Sequence, residues 1–115
     1  MNVKECYEKL GADYEEVSGR LPNEALVERF LNKFLSDESM NRLKAAVEEG
    51  NIEQSFIMVH TLKGVSQNLS LTRLSEAASE LTEQLRPKTE PADAALYQAV
   101  LDEYNRTVDI IKSFS

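Results

Sequence analysis

Hydrophobic positions recur at intervals of three and four along most of the chain and seldom at intervals of two, so helices are expected and strands are not. Val3, Cys6, Tyr7 and Leu10 mark a short helix stopped at Gly11, and Asp13 followed by Glu16 has the spacing of a capping box that opens a second short turn. After Pro22, Asn23 is placed to cap a helix whose Leu26, Val27, Phe30, Leu31, Phe34 and Leu35 fall on one stripe. Met40, Leu43, Ala46 and Val47 carry the helical spacing on to Gly50, a suitable C′ residue. At about 100° per residue, however, their stripe centres roughly 180° from the preceding one. A kink or break is therefore predicted within Ser36-Asp37-Glu38-Ser39, with Ser36 capping the second piece.

Asn51, with Gln54 three residues later, begins a helix that runs to about residue 69. Leu71, Leu74, Ala78, Leu81 and Leu85 follow at helical spacing and stop before Pro87, and residues 87–91 read as a loop. A last helix from about 92 to 113 is expected to bury Leu96, Val100, Tyr104, Val108 and Ile111. Segments 23–49, 51–69, 71–86 and 92–113 are four long elements with short connections. The predicted fold is all-α: an up-down-up-down antiparallel four-helix bundle over residues 23–113, with residues 1–22 forming short N-terminal helices that cap it.

Composition narrows the function. A chain of 115 residues, 42% hydrophobic, is one domain with a real core. Thirteen basic against 20 acidic residues give a net charge of −7, which opposes binding to nucleic acid or anionic lipid. The N-terminus has no apolar signal region, and no run approaches the roughly 18 apolar residues of a membrane span, so a cytoplasmic protein is expected. One cysteine and one histidine cannot supply a structural metal site, and Cys6 falls on a core stripe. Neither a metal nor a cofactor is expected. A chain that starts at Met and ends soon after its last helix reads as free-standing.

The candidate chemistry lies in His60-Thr61-Leu62-Lys63-Gly64, which holds the chain's single histidine. On a helical wheel Ser55, Val59, Leu62, Ser66 and Leu69, with Ile52 beside them, form the inward side, and His60 stands roughly 100° from its centre. Phe56, Ile57, Lys63, Gly64 and Gln67 share its side, so an accessible imidazole beside a cation is expected. Imidazole titrates near neutrality and offers a free ring nitrogen as nucleophile. A lysine one turn away can neutralise phosphoryl oxygens without imposing the geometry of a guanidinium fork. Glycine in mid-helix costs about 0.8–1 kcal/mol relative to alanine. Clearance for an incoming group and close packing of a neighbouring helix both explain Gly64.

This run resembles the signature of the histidine-containing phosphotransfer domains, His-x-Leu-Lys-Gly, placed in mid-helix between Glu48-Glu49-Gly50-Asn51 and Asn68-Leu69-Ser70-Leu71. Two positions depart from the family pattern. Val59 stands where Ala is common, and Ser70 stands where Gly is common at the turn into the next helix; Ser70 is expected to act as N-cap there. The resemblance implies that His60 accepts a phosphoryl group from the aspartyl phosphate of a receiver domain and passes it to another. Lys63 would stabilise the phosphoryl oxygens and Gly64 would give steric clearance. The resemblance also implies a polar side chain near the histidine, for which Gln67, Ser79 and Thr82 are the candidates, and Phe56 and Ile57 form the expected docking patch.

Further expectations accompany the resemblance. The partners are response-regulator receiver domains and a hybrid histidine kinase, Mg²⁺ resides on the receiver, and the chain is a monomeric carrier rather than an enzyme. No Gly-rich nucleotide loop is present, the glycines being at 11, 19, 50 and 64, so phosphate must come from a partner. The rival reading is a helical-bundle adaptor in which His60 is incidental.

Overall fold

The computed structural model describes residues 2–114, which form seven helices and no strand. They are α1 (Val3–Leu10), α2 (Tyr14–Arg20), α3 (Glu24–Phe34), α4 (Ser39–Glu48), α5 (Ile52–Asn68), α6 (Thr72–Leu85) and α7 (Ala94–Phe114). Short polar residues start most of them. The side chains of Asn2, Asp13, Asn23 and Asn51 accept hydrogen bonds from the amides of Glu5, Glu16, Leu26 and Gln54 at 2.8, 3.2, 2.8 and 3.0 Å. Asp93 does the same for Leu96 at 3.0 Å. Each satisfies an amide that the first helical turn leaves without a partner.

The predicted break between the two N-terminal stripes is present. After α3 the amides of Leu35, Ser36 and Asp37 turn to carbonyls three residues back, and α4 restarts with Met40, Leu43 and Ala46 buried. Two capping expectations need correction. Ser36 is exposed and does not cap α4; the Asp37 carboxylate accepts from Ser39 N at 2.8 Å instead, because the tightened turn delays the restart. Ser70 does not cap α6 either: Leu71 is the N-cap residue, and Ser70 sits at φ 53° in the left-handed region. That is where a glycine is comfortable. The Ser70 hydroxyl is held from outside α6, receiving a hydrogen bond from Arg20 Nη2 and donating to Glu16 Oε1 at 3.0 Å.

The core is continuous from α1 to α7. α5 packs between α4 and α6, α6 packs on α7, and α1 packs on α7. The inward faces of α5 and α6 are those expected, with Val59 and Leu62 of α5 and Leu74, Ala78, Leu81 and Leu85 of α6 almost wholly removed from solvent. The expectation needs correction elsewhere: in α7 Val100 and Ile111 are buried but Leu96, Tyr104 and Val108 are half-buried, with Thr107 on the inner side, and Phe30 of the α3 stripe is exposed. The N-terminal helices join this core through their predicted stripe: Val3, Cys6, Tyr7 and Leu10, with Val17 of α2, are all core residues. Burial pushes the Cys6 thiol above its ordinary pKa, against a smaller pull from Lys9, and leaves it a packing residue.

Polar ties fix α1 and α2 to the rest. The Tyr7 hydroxyl donates to Leu69 O at 2.7 Å. Arg106 donates to Lys9 O and Leu10 O at 2.7 and 3.0 Å, and Arg20 donates to Gln67 O and Asn68 O at 2.9 and 3.2 Å. Each guanidinium thus serves carbonyls at a helix C-terminus, the end that carries partial negative charge.

Candidate functional site

α5 places His60 at its middle and on the solvent side. The reason is the register of its core face: Ser55, Val59, Leu62 and Ser66 are buried, so the residue after Val59 must turn outward. The apolar residues of α5 are not confined to that inner face. Phe56 is half-buried and Ile57 is 40% exposed, which leaves an apolar strip beside the imidazole. The Phe56 and His60 rings are stacked, 5.7 Å between centroids and 18° apart in plane. Lys63 is half-buried, Gly64 and Gln67 are exposed, and all three follow His60 along α5.

Gly64 is informative because of what surrounds it. A Cβ built there would meet nothing within 4 Å, so no neighbouring helix approaches closely enough to require glycine. Of the two explanations for a mid-helix glycine, close packing within the chain is removed. Clearance for something outside the chain remains.

The three polar candidates fare differently. Gln67 lies on the same helix as His60, roughly two turns on, and is exposed. Ser79 is half-buried on α6. Thr82 is not available: it is fully buried, and its hydroxyl donates to Ala78 O at 2.6 Å, a back-bond within α6. Its place on the core side of α6, among Ala78, Leu81 and Leu85, accounts for this.

Three residues that the sequence pattern did not single out also stand at this face. Arg86 Cζ lies 5.4 Å and Lys88 Nζ 5.0 Å from the Phe56 ring centroid, at cation–π distance. Glu83 forms an exposed ion pair with Arg86, Nη2 to Oε2 at 2.7 Å. The hydrogen bonds from Arg86 hold the Glu83 carboxyl below its usual pKa, and the positive charges of Lys63 and His60 add smaller contributions in the same direction. Arg86 and Lys88 flank Pro87, and the only trace of their role in the sequence is two cations at the loop predicted to follow α6. Its return over α5 was not legible there.

The site is therefore a lone exposed imidazole, backed by an aromatic ring and bordered by three cations in an acidic chain. Among the described residues, no three His, Cys, Asp or Glu side chains gather to hold a metal ion. Comparison with known families decides what kind of site this is. The family model of the Hpt domain matches residues 26–109, most of the chain. The chain belongs to the Hpt domain family. No curated protein and no solved structure matches it. Hpt domains perform histidine phosphotransfer in phosphorelays, with receiver domains and kinases as their general partners. In this Hpt domain the histidine of the quoted signature is the residue that the fold exposes, and no described helix is long and apolar enough to cross a membrane.

Proposed function

We propose that this Hpt domain is a phosphoryl carrier in which His60 accepts a phosphoryl group from a receiver aspartate and donates it to another receiver. One observation carries the reading: His60 is exposed beside Lys63, and the space over Gly64 is filled by nothing in the chain itself. In the forward step the Nε2 lone pair forms an N–P bond as the O–P bond of the aspartyl phosphate breaks. The aspartate leaves as a carboxylate with the bonding electrons. The ring keeps its Nδ1 proton and becomes an imidazolium bearing the phosphoryl group.

Lys63 offsets charge on the phosphoryl oxygens, Gly64 admits the partner's loops, and Phe56 with Ile57 supplies the apolar contact. Gln67 is the polar side chain farther along the same helix. The divalent ion of the transfer belongs to the receiver, and the chain works as a carrier without catalytic machinery of its own. A monomeric cytoplasmic protein fits this role. So does an up-down bundle in which α3 with α4 forms the first arm and α5, α6 and α7 the other three.

Incubation with a phosphorylated receiver tests the reading. Wild-type protein is expected to gain acid-labile, base-stable phosphate that His60→Gln lacks. Gly64→Leu is expected to fold at least as stably as the parent, since it raises helix propensity into open space, but to be labelled more slowly. Labelling that persists in His60→Gln, or that no receiver produces, would leave the adaptor reading in its place.

A further inference from the structure

The turn after α6 brings to the His60 face a charge that α5 alone does not carry. Arg86 and Lys88 both rest on Phe56, and the same ring is stacked on His60. Both cations therefore lie within roughly one Debye length of the imidazole, about 10 Å at 0.1 M salt. Lys88 reaches this position with φ at 58°, a left-handed conformation that disfavours a residue with a side chain. In a chain of net charge −7, Lys63, Arg86 and Lys88 around one imidazole run against the overall charge.

A carboxylate is built in among them. Glu83 accepts from Arg86 Nε at 2.9 and 3.2 Å and from Nη2 at 2.7 Å, and it is also within electrostatic reach of Lys63 and His60. Both partners of this pair are largely exposed, so the pair adds little to folding. Its geometry instead resembles a guanidinium fork already filled by an anion.

We propose that Glu83 is the resident anion of a phosphoryl site: it holds Arg86 while His60 is free, and Arg86 and Lys88 turn to the phosphoryl oxygens once His60 is phosphorylated. This rests on the reading of His60 as a phosphoryl carrier. A phosphoryl dianion carries more charge than a carboxylate and offers the fork two oxygens. The contacts of Arg86 and Lys88 with Phe56 are weak, exposed cation–π contacts that yield readily. Loss of the phosphoryl group moves charge off its oxygens towards the leaving ring, so cations on those oxygens prolong the phosphorylated state. Glu83 acts in the opposite sense, by occupying Arg86 and by adding negative charge beside the phosphoryl group. Arg86 and Lys88 are thus phosphoryl-binding cations, and Glu83 is a positioning residue that sets the lifetime of the carrier.

The test uses the full chain and no receiver. Phosphoramidate transfers its phosphoryl group to the ring as its P–N bond breaks and ammonia leaves, and ³¹P NMR then follows decay of the phosphohistidine, with His60→Gln as the blank. At low salt Arg86→Gln and Lys88→Gln are each expected to shorten the half-life about threefold and Glu83→Gln to lengthen it about threefold, a factor in the range of exposed ion pairs. Arg86→Lys should recover part of the loss, and the differences should shrink at 1 M salt, where the Debye length is about 3 Å. Glu83→Gln should matter less once Arg86 is gone. Half-lives in all variants within 1.5-fold of the parent, or differences that survive high salt, would overturn the proposal. Its failure is separable from failure of the carrier reading, which is the absence of labelling by any receiver. If His60 accepts nothing even from phosphoramidate, both are overturned.

Discussion

Tyr7 ties the first helix to the end of the helix that bears His60, and its phenol is fully buried there. Burial raises its pKa well beyond the usual phenol value, and the nearby Cys6 thiol adds to the shift, while Arg20 opposes it. The folded state therefore holds this proton more tightly than the unfolded chain. Tyr7 contributes stability that is present below the unfolded pKa of about 10 and is lost as pH climbs above it. Tyr7→Phe leaves Leu69 O without its buried donor, at a cost of about 1–2 kcal/mol. Urea melts from pH 7 to 11 check both statements. The parent should lose stability above about pH 10, and the Tyr7→Phe protein should be weaker at pH 7 and decline less steeply. An unchanged slope would mean that the buried phenol is not the group responsible.

At the scale of elements, the helix that bears His60 is completed at its C-terminus by another helix. α5 has no basic residue in its last turn, and Arg20 of α2 donates to its Gln67 and Asn68 carbonyls instead. Replacing Arg20 with Gln removes the fork that matches these carbonyls and the hydroxyl of Ser70, and should cost about 1–2 kcal/mol. Amide hydrogen exchange should show the change locally, with faster exchange at residues 69–71 and little change within α6; uniform acceleration along the chain would deny Arg20 this local role. Periodicity made the helices legible, because each buries a stripe whose spacing is a local property. Asn23, Asn51 and the pair Asp13 and Glu16 announced helix starts for the same reason. Ser36 and Ser70 misled because a cap depends on backbone geometry, and Ser70 entered a left-handed turn that Arg20 and Glu16 support from far away in sequence. His60, Lys63 and Gly64 share one helix and were readable together. Glu83, Arg86 and Lys88 reach the same face from another element, and no local pattern reports that.

For the molecule as a whole, the family match and the physical core do not coincide. The match begins at residue 26, yet Val3, Cys6, Tyr7, Leu10 and Val17 lie before it and are within 3% of complete burial. Residues 1–22, expected as short helices that cap the bundle, are tied into its core by the packing of α1 on α7 and by the Tyr7 bond to Leu69 O. Burying five such side chains stabilises by roughly 1.5–3 kcal/mol each. That sum is comparable to the entire stability of an ordinary domain, about 5–15 kcal/mol. Removal of residues 1–22 also strips Gln67 O and Asn68 O of Arg20 and uncovers the surface on which α1 rests. A protein comprising residues 23–115 should therefore lack a cooperative urea transition, or unfold at a much lower midpoint, and should expose apolar surface to dyes such as ANS while keeping some helical circular dichroism. If it instead unfolds cooperatively at the parent's midpoint, the N-terminal helices are dispensable and the core is confined to the segment that the family shares.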